Sequence, residues 1–202
     1  MKKSFTANEI DKSVARLVRG FDISPLLPHL ELVGIGQVQE IKDATGQANR
    51  YYQWLHCLMK VLKPKQVIEL GAAAGISTIM MATALPDSAQ IYAVDINSNA
   101  FGWMKHDYPN VTKIFGDDLD MGIWEGVNLL ETDVWFIDTI HDGEQLRKEL
   151  ELYKPFFKKG TVVALDDIHI NTGMNQVWEE LEYDKCDTTN PNHYSGFGFF
   201  LV

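Results

Sequence analysis

At 202 residues, 46% hydrophobic and 23% charged, the chain is long enough to bury a full core as one domain without disulfide or metal staples. A formal charge of −10 argues against a nucleic-acid backbone or an anionic membrane as the main partner, since both repel an acidic surface. Cys57 and Cys186 are two lone cysteines, as expected of a reduced, cytoplasmic protein, and no apolar stretch approaches the length that spans a bilayer.

Met1-Lys2-Lys3 is followed by polar residues rather than the apolar run of a secretory leader. Pro25, Pro28, Gly34 and Gly36 then predict a helix followed by an irregular segment over residues 1–50. Tyr51, Leu55, Leu58 and Leu62 mark an amphipathic helix that Pro64 ends. From Gln66 onward, short β-rich runs alternate with helical patterns, the signature of a parallel sheet with crossover helices. The predicted strands are Gln66–Leu70, Gln90–Asp95, Val111–Phe115, Asp133–Asp138 and Thr161–Asp166. Most are near-continuous apolar runs, so both faces of the sheet should be covered.

Trp103 and Trp124 fall in the predicted crossover helices. The clearest helix is Asp142–Lys158, where Leu146, Leu150, Tyr153 and Phe157 recur at helical spacing, with Glu and Lys on the other face. Asp142 and Gln145 suit its N-terminal cap and Gly160 stops it. Beyond Asp166 come a loop, a helix through Val177 and Leu181, a short strand near Cys186 and a terminal strand Phe197–Val202. Asn190-Pro191-Asn192 supplies a turn between those strands, which should therefore pair antiparallel. The expected fold is α/β: a Rossmann-like doubly wound sheet, mostly parallel with an antiparallel C-terminal strand. Residues 51–202 form its core within a single domain, 1–202.

The stretch from Val67 to Ser77, VIELGAAAGIS, is a strand-to-helix turn built for close backbone approach. Its glycine spacing excludes two common nucleotide loops. Ala73 and Ile76 replace the later glycines of G-x-G-x-x-G, and no lysine lies between Gly71 and Thr83 to serve a phosphate loop. What remains is E-x-G-x-x-x-G, whose carboxylate suits a ligand with a positive end.

Ligands of open α/β sheets sit at the carboxyl ends of the strands. Each predicted strand ends in acid: Glu69, Asp95, Asp117-Asp118, Asp138 and Asp166-Asp167. Asp and Glu at such junctions also serve as N-caps, and that role stays open for Asp95 and Asp118. Their alignment at one edge, beside the glycine loop, favours a ligand site.

The motifs E-L-G-x-x-x-G-x-S, an acid ending the second strand, G-D after the third, F-I-D-x-x-H after the fourth and the later D-D resemble the class I S-adenosylmethionine-dependent methyltransferases. More narrowly, Tyr51 through Val202 is similar to the small O-methyltransferases of the catechol and caffeoyl-CoA type. The resemblance implies S-adenosylmethionine as cofactor, a ligand with an ammonium, a sulfonium and a ribose diol but no phosphate. Glu69 would favour its cationic end, Gly71 and Gly75 would admit it where a Cβ would collide, and Ser77 would bind its carboxylate or cap the next helix. Asp95 would take the ribose hydroxyls and Asp117 the adenine amine.

The resemblance also implies a divalent cation such as Mg²⁺ on Asp138, Asp166 and Asp167, lowering the pKa of an acceptor hydroxyl. Two departures stand out: Asp167 replaces the family's asparagine, and His141 replaces its lysine. His141 could act with Asp138 as a catalytic base, or cap the helix at Asp142. His169 and Asn171 are candidate substrate contacts, while Trp54, Trp178 and the Phe-rich tail are expected in the core. The expected partners are a small-molecule methyl acceptor and, as a candidate, a second copy of the chain. A non-catalytic methyltransferase-like module and an NAD-dependent oxidoreductase are the alternatives, the latter disfavoured by the missing glycines.

Overall fold

The computed structural model describes residues 5–30, 51–104, 106–189 and 195–202. Seven strands form one sheet in the order β3-β2-β1-β4-β5-β7-β6. They are β1 Gln66–Leu70, β2 Gln90–Asp95, β3 Val111–Phe115, β4 Val134–Ile137, β5 Val162–Asp166, β6 Asp184–Asp187 and β7 Phe197–Leu201. The first five run parallel, β7 lies antiparallel to β5, and β6 pairs antiparallel with β7. The expected doubly wound sheet with its closing antiparallel pair is therefore present. The connecting turn at Asn190-Pro191-Asn192 lies outside the described residues.

Among the described residues the helices are α1 Ala7–Val18, α2 Tyr51–Leu62, α3 Ile76–Ala82, α4 Gly143–Tyr153 and α5 Thr172–Glu180, with one further α-helical turn at Leu27–Leu30. Strand residues alternate between two apolar layers. Val67, Ala93, Phe136, Ala164 and Phe199 face α1, α2 and α3. Ile68, Val94, Trp135, Leu165 and Phe200 face α4 and α5. Trp135, Phe136 and Phe199 are fully buried, each contributing about 1.5–3 kcal/mol by removal from water.

Several elements depart from the periodicity. Helix α4 stops at Tyr153 and tightens into a 3₁₀ turn at Lys154–Phe156, because Pro155 has no N–H to continue an α-helix. The regions around Trp103 and Trp124 are single 3₁₀ turns rather than crossover helices. Helix α2 is buried on nearly every side from Tyr51 to Met59, so it is a core helix rather than a half-exposed one. Asp142 caps α4 as expected, accepting from the N–H groups of Glu144 and Gln145. At the N-terminus Thr6 and Glu9 form a capping box. The Ala7 N–H also donates to Asp184 Oδ2 at 2.8 Å, tying α1 to β6. Among the described residues, no helix is long and apolar enough to cross a membrane.

The strand order reverses between β1 and β4, and there the backbone is closely packed. Gly71 turns through φ +84°, and a Cβ on it would lie 1.9 Å from the Asp138 carbonyl oxygen. Gly75 turns through φ +82°, but its Cβ would meet only the flexible Met104 side chain, at 2.4 Å. Both glycines thus answer to protein atoms, a constraint additional to the expected approach of a ligand. Gly71→Ala should destabilise the fold by about 2–4 kcal/mol, since neither backbone can yield cheaply. Gly75→Ala should cost less, and chemical denaturation of the two variants compares them.

Candidate active site

The β1–β4 junction opens into a cleft of about 330 Å³ that reaches across the ends of β2 and β3. This is within the range of small-molecule sites, about 300–1,000 Å³. Gly71, Asp95, Asp117 and Asp138 all line it, so the structure gathers four of the expected residues in one place. Asp118 joins them, and among the described lining residues there is no lysine, arginine or histidine. Ile96 and Ile140, about 72% and 71% exposed, stand at its mouth as apolar walls.

Asp95 is held from both sides. Its Oδ2 accepts from the Ala73 N–H at 2.7 Å, and its Oδ1 accepts from the Asn97 N–H at 2.7 Å. Ala73 is in the left-handed region, φ 44°, the strained geometry that aims its N–H at Asp95. Asp117 is exposed and accepts only the local Leu119 N–H at 2.9 Å. Asp118 does not cap the turn that follows; Asp120 does, by accepting from Gly122.

Glu69, Ser77 and Gly75 do not line the cleft; they lie behind it. Glu69 is 0% exposed. Its Oε2 accepts from the Thr78 hydroxyl, and its Oε1 has no partner of normal geometry. Burial pushes its carboxyl up to about 7, against the opposing help of Ser77 and Thr78, with Asp138 and Asp95 adding repulsion. Gly75, not Ser77, is the N-cap of α3, and Ser77 sits one residue inside the helix.

At the other end of the edge, three donor atoms converge. His141 Nε2 lies 3.0 Å from Asp138 Oδ1 and 3.0 Å from Asp167 Oδ2. Hydrogen bonds to these two carboxylates raise the imidazole to about 10, so at neutral pH it is a cation rather than a base. Both His141 (φ 50°) and Asp167 (φ 55°) adopt left-handed backbone to reach this arrangement. Asp166 is not part of it. As the last residue of β5 it pairs with Phe197, and its charge, like that of Asp138, acts on the buried Tyr51 hydroxyl. Among the described residues the donor group is therefore Asp138, His141 and Asp167, not the three aspartates that the sequence suggested.

Asn171 caps α5 through Met174 and gives its amide to the His141 carbonyl at 2.8 Å, while His169 is held between Asn175 and Asp187. Both are engaged within the protein. Trp54, Trp178, Phe197, Phe199 and Phe200 are buried, as expected of core residues. Thr78, Thr139 and Glu149 escaped notice in the sequence. Glu149 had a signal: it lies on the same helical stripe as Leu146, Leu150 and Tyr153, an acid where the pattern calls for an apolar residue.

Residues 68–168, half of the chain, match the methyltransferase domain family. The chain belongs to that family. Its fold and motifs place it with the class I S-adenosylmethionine-dependent methyltransferases. The flavonoid 3',5'-methyltransferase of Vitis vinifera is 26% identical over 121 residues, 54% of this chain and 47% of that protein. The caffeoyl-CoA O-methyltransferase of Stellaria longipes is 41% identical over 49 residues, 24% of this chain and 20% of that one. The matched segment thus spans less than half the length of either relative.

Solved folds agree across nearly the whole chain. The O-methyltransferase of Bacillus cereus, solved with S-adenosylhomocysteine, superposes with a TM-score of 0.63 at 18% identity, covering 96% of this chain and 97% of that one. The O-methyltransferase TomG of Streptomyces achromogenes, solved with S-adenosylmethionine, gives 0.59 at 18% identity, covering 85% and 87%.

The buried Glu69 makes the stability of the domain depend on pH. Its folded pKa is raised, so its contribution is fully present below about 4.5 and is lost as pH rises through about 7. That difference corresponds to about 3 kcal/mol. Glu69→Gln should therefore lose less stability than the parent between pH 5 and pH 8, as read by urea unfolding at both values.

Proposed function

We propose that the chain, acting as one methyltransferase domain, transfers the methyl group of S-adenosylmethionine to an oxygen of a small molecule. The observation that carries this is the lining of the β1–β4 cleft: acids at successive strand ends, apolar walls and no cationic side chain among the described residues. A phosphate-bearing dinucleotide would find no compensating charge there. A sulfonium cofactor would find complementary field.

In this reading Asp95 receives the ribose hydroxyls on the lone pairs left after Ala73 and Asn97. Asp117 receives the adenine amine, and Ile96 and Ile140 cover the base. Glu69, with Ser77 and Thr78 around it, acts from behind Gly71 and Gly75 as a buried negative field at the amino-acid end. The methyl acceptor lies near Asp138, on the Asp167 side of the junction. In-line displacement at the methyl carbon needs the acceptor fixed and water kept out, and the buried Asp167 and half-buried His141 frame that space.

The donor set fits a divalent cation. Ligand atoms 3.0 Å apart match neighbouring positions on an octahedral ion with bonds of about 2.1 Å. Asp138, His141 and Asp167 would hold it, and it would lower the pKa of the acceptor hydroxyl. Without it, the His141 cation keeps the two carboxylates together and can donate a hydrogen bond toward a developing alkoxide.

Calorimetry with S-adenosylhomocysteine and with NAD, each with and without Mg²⁺ or Mn²⁺, tests the assignment. S-adenosylhomocysteine should bind and NAD should not; the reverse would sink it. Asp95→Ala should weaken S-adenosylhomocysteine binding by about 1–3 kcal/mol, and unchanged affinity would remove Asp95 from the ribose site. Asp138→Ala should leave that binding intact and abolish methyl transfer to an oxygen acceptor. Full turnover in that variant would exclude both the cation and the Asp138–His141 pair from the reaction.

A further inference from the structure

Glu149 is 0% exposed on α4, directly beneath the cofactor cleft. Its Oε1 is satisfied, accepting from Thr139 Oγ1 at 2.8 Å and Gln145 Nε2 at 2.9 Å. Among the described residues its Oε2 meets no N–H or O–H donor, and neither does the buried Oδ2 of Asp118. The two carboxyls are in contact. Two ionised carboxylates cannot share such a site without a cation between them. None is at hand on α4: Arg147 pairs with Glu180 and Lys148 with Glu144 at the exposed surface. Among the described residues, Tyr153 lies within electrostatic reach of both carboxyls and of Asp117, and none of these groups becomes positive.

The contact joins the two walls of the cleft. Asp118 follows Asp117 in the loop after β3, and its carbonyl accepts from Tyr153 Oη, which in turn accepts from Trp124 Nε1 at 3.0 Å. Thr139 follows Asp138 in the loop after β4. Asp117, Asp118, Asp138 and Thr139 all line the cleft. Glu149 therefore holds the β4 loop through Oε1 and touches the β3 loop at Asp118.

We propose that Glu149 and Asp118 share a single proton, and that this carboxyl–carboxylate hydrogen bond positions the β3 loop, with Asp117, for the adenine end of the cofactor. The role rests on the cofactor assignment made above. Both are positioning residues, since they act through Asp117 and touch no reacting atom. Removing the proton leaves two adjacent anions with no cation between them, and the loop separates from α4. Burial and the Asp118 carboxyl push Glu149 up to about 8. Cofactor affinity is then steady below that pH and falls above it.

The test is S-adenosylhomocysteine binding from pH 6.5 to 9.5 in the parent protein, Glu149→Gln and Asp118→Asn. The parent Kd should rise about tenfold more between pH 7 and pH 9 than that of either variant. Each amide supplies a permanent N–H donor to the remaining carboxylate, so the extra alkaline loss disappears. The ligand's own amine and Glu69 titrate in all three proteins and cancel from the comparison. Parallel pH profiles in the parent and in both variants would overturn the shared proton. Absence of S-adenosylhomocysteine binding at every pH would instead overturn the cofactor assignment. A variant that fails to fold leaves the other to decide, because the donor is restored from opposite sides of the same bond.

Discussion

The contact between the end of β1 and the end of β4 governs everything built above it. Gly71 lies against the Asp138 carbonyl with no room for a methyl group. That proximity brings the glycine turn, Asp95 and the Asp138 cluster into reach of one small molecule. It follows from parallel pairing, which places the C-terminal ends of β1 to β5 on the same edge, and from the reversal of strand order between β1 and β4. A Cβ at this one position would pry apart the two halves of the sheet where the chemistry is proposed to occur.

Concentrating acids along that edge creates an electrostatic problem, and the protein answers it locally. Asp95 accepts two backbone N–H groups. Asp138 and Asp167 share the His141 imidazolium. Glu69 and Glu149, both buried, are pushed toward the protonated state. Three different devices (backbone donors, an internal cation and retained protons) thus keep a strongly acidic cleft folded. They also leave its open face negative, which is the property a sulfonium-bearing cofactor can use.

Much of this was legible in the residues because it depends on short-range patterns. Short, near-continuous apolar runs marked the first three strands to the residue, and Asp142 announced the start of α4. The match with the methyltransferase domain family agrees with the glycine and acid motifs. What was not legible depended on distant partners. Gly71 is confined by Asp138, Glu149 is matched by Asp118, and Asp166 and Asp167 part company at a left-handed turn. Pro155 was a local signal for the end of α4 that the apolar stripe through Phe157 concealed. The crossovers near Trp103 and Trp124 shrank to single turns, where isolated aromatics gave no sustained helical period.

The tie between α1 and β6 has a consequence for how the chain folds. The Ala7 N–H finds its side-chain acceptor on Asp184, 177 residues away. A contact of such sequence separation forms only after the intervening chain has been ordered, because the entropy of closing so long a loop must be met first. The capping box of Thr6 and Glu9 can start α1 locally. Its tie to the sheet waits on β6, so the docking of this helix reports that the far edge of the sheet is in place.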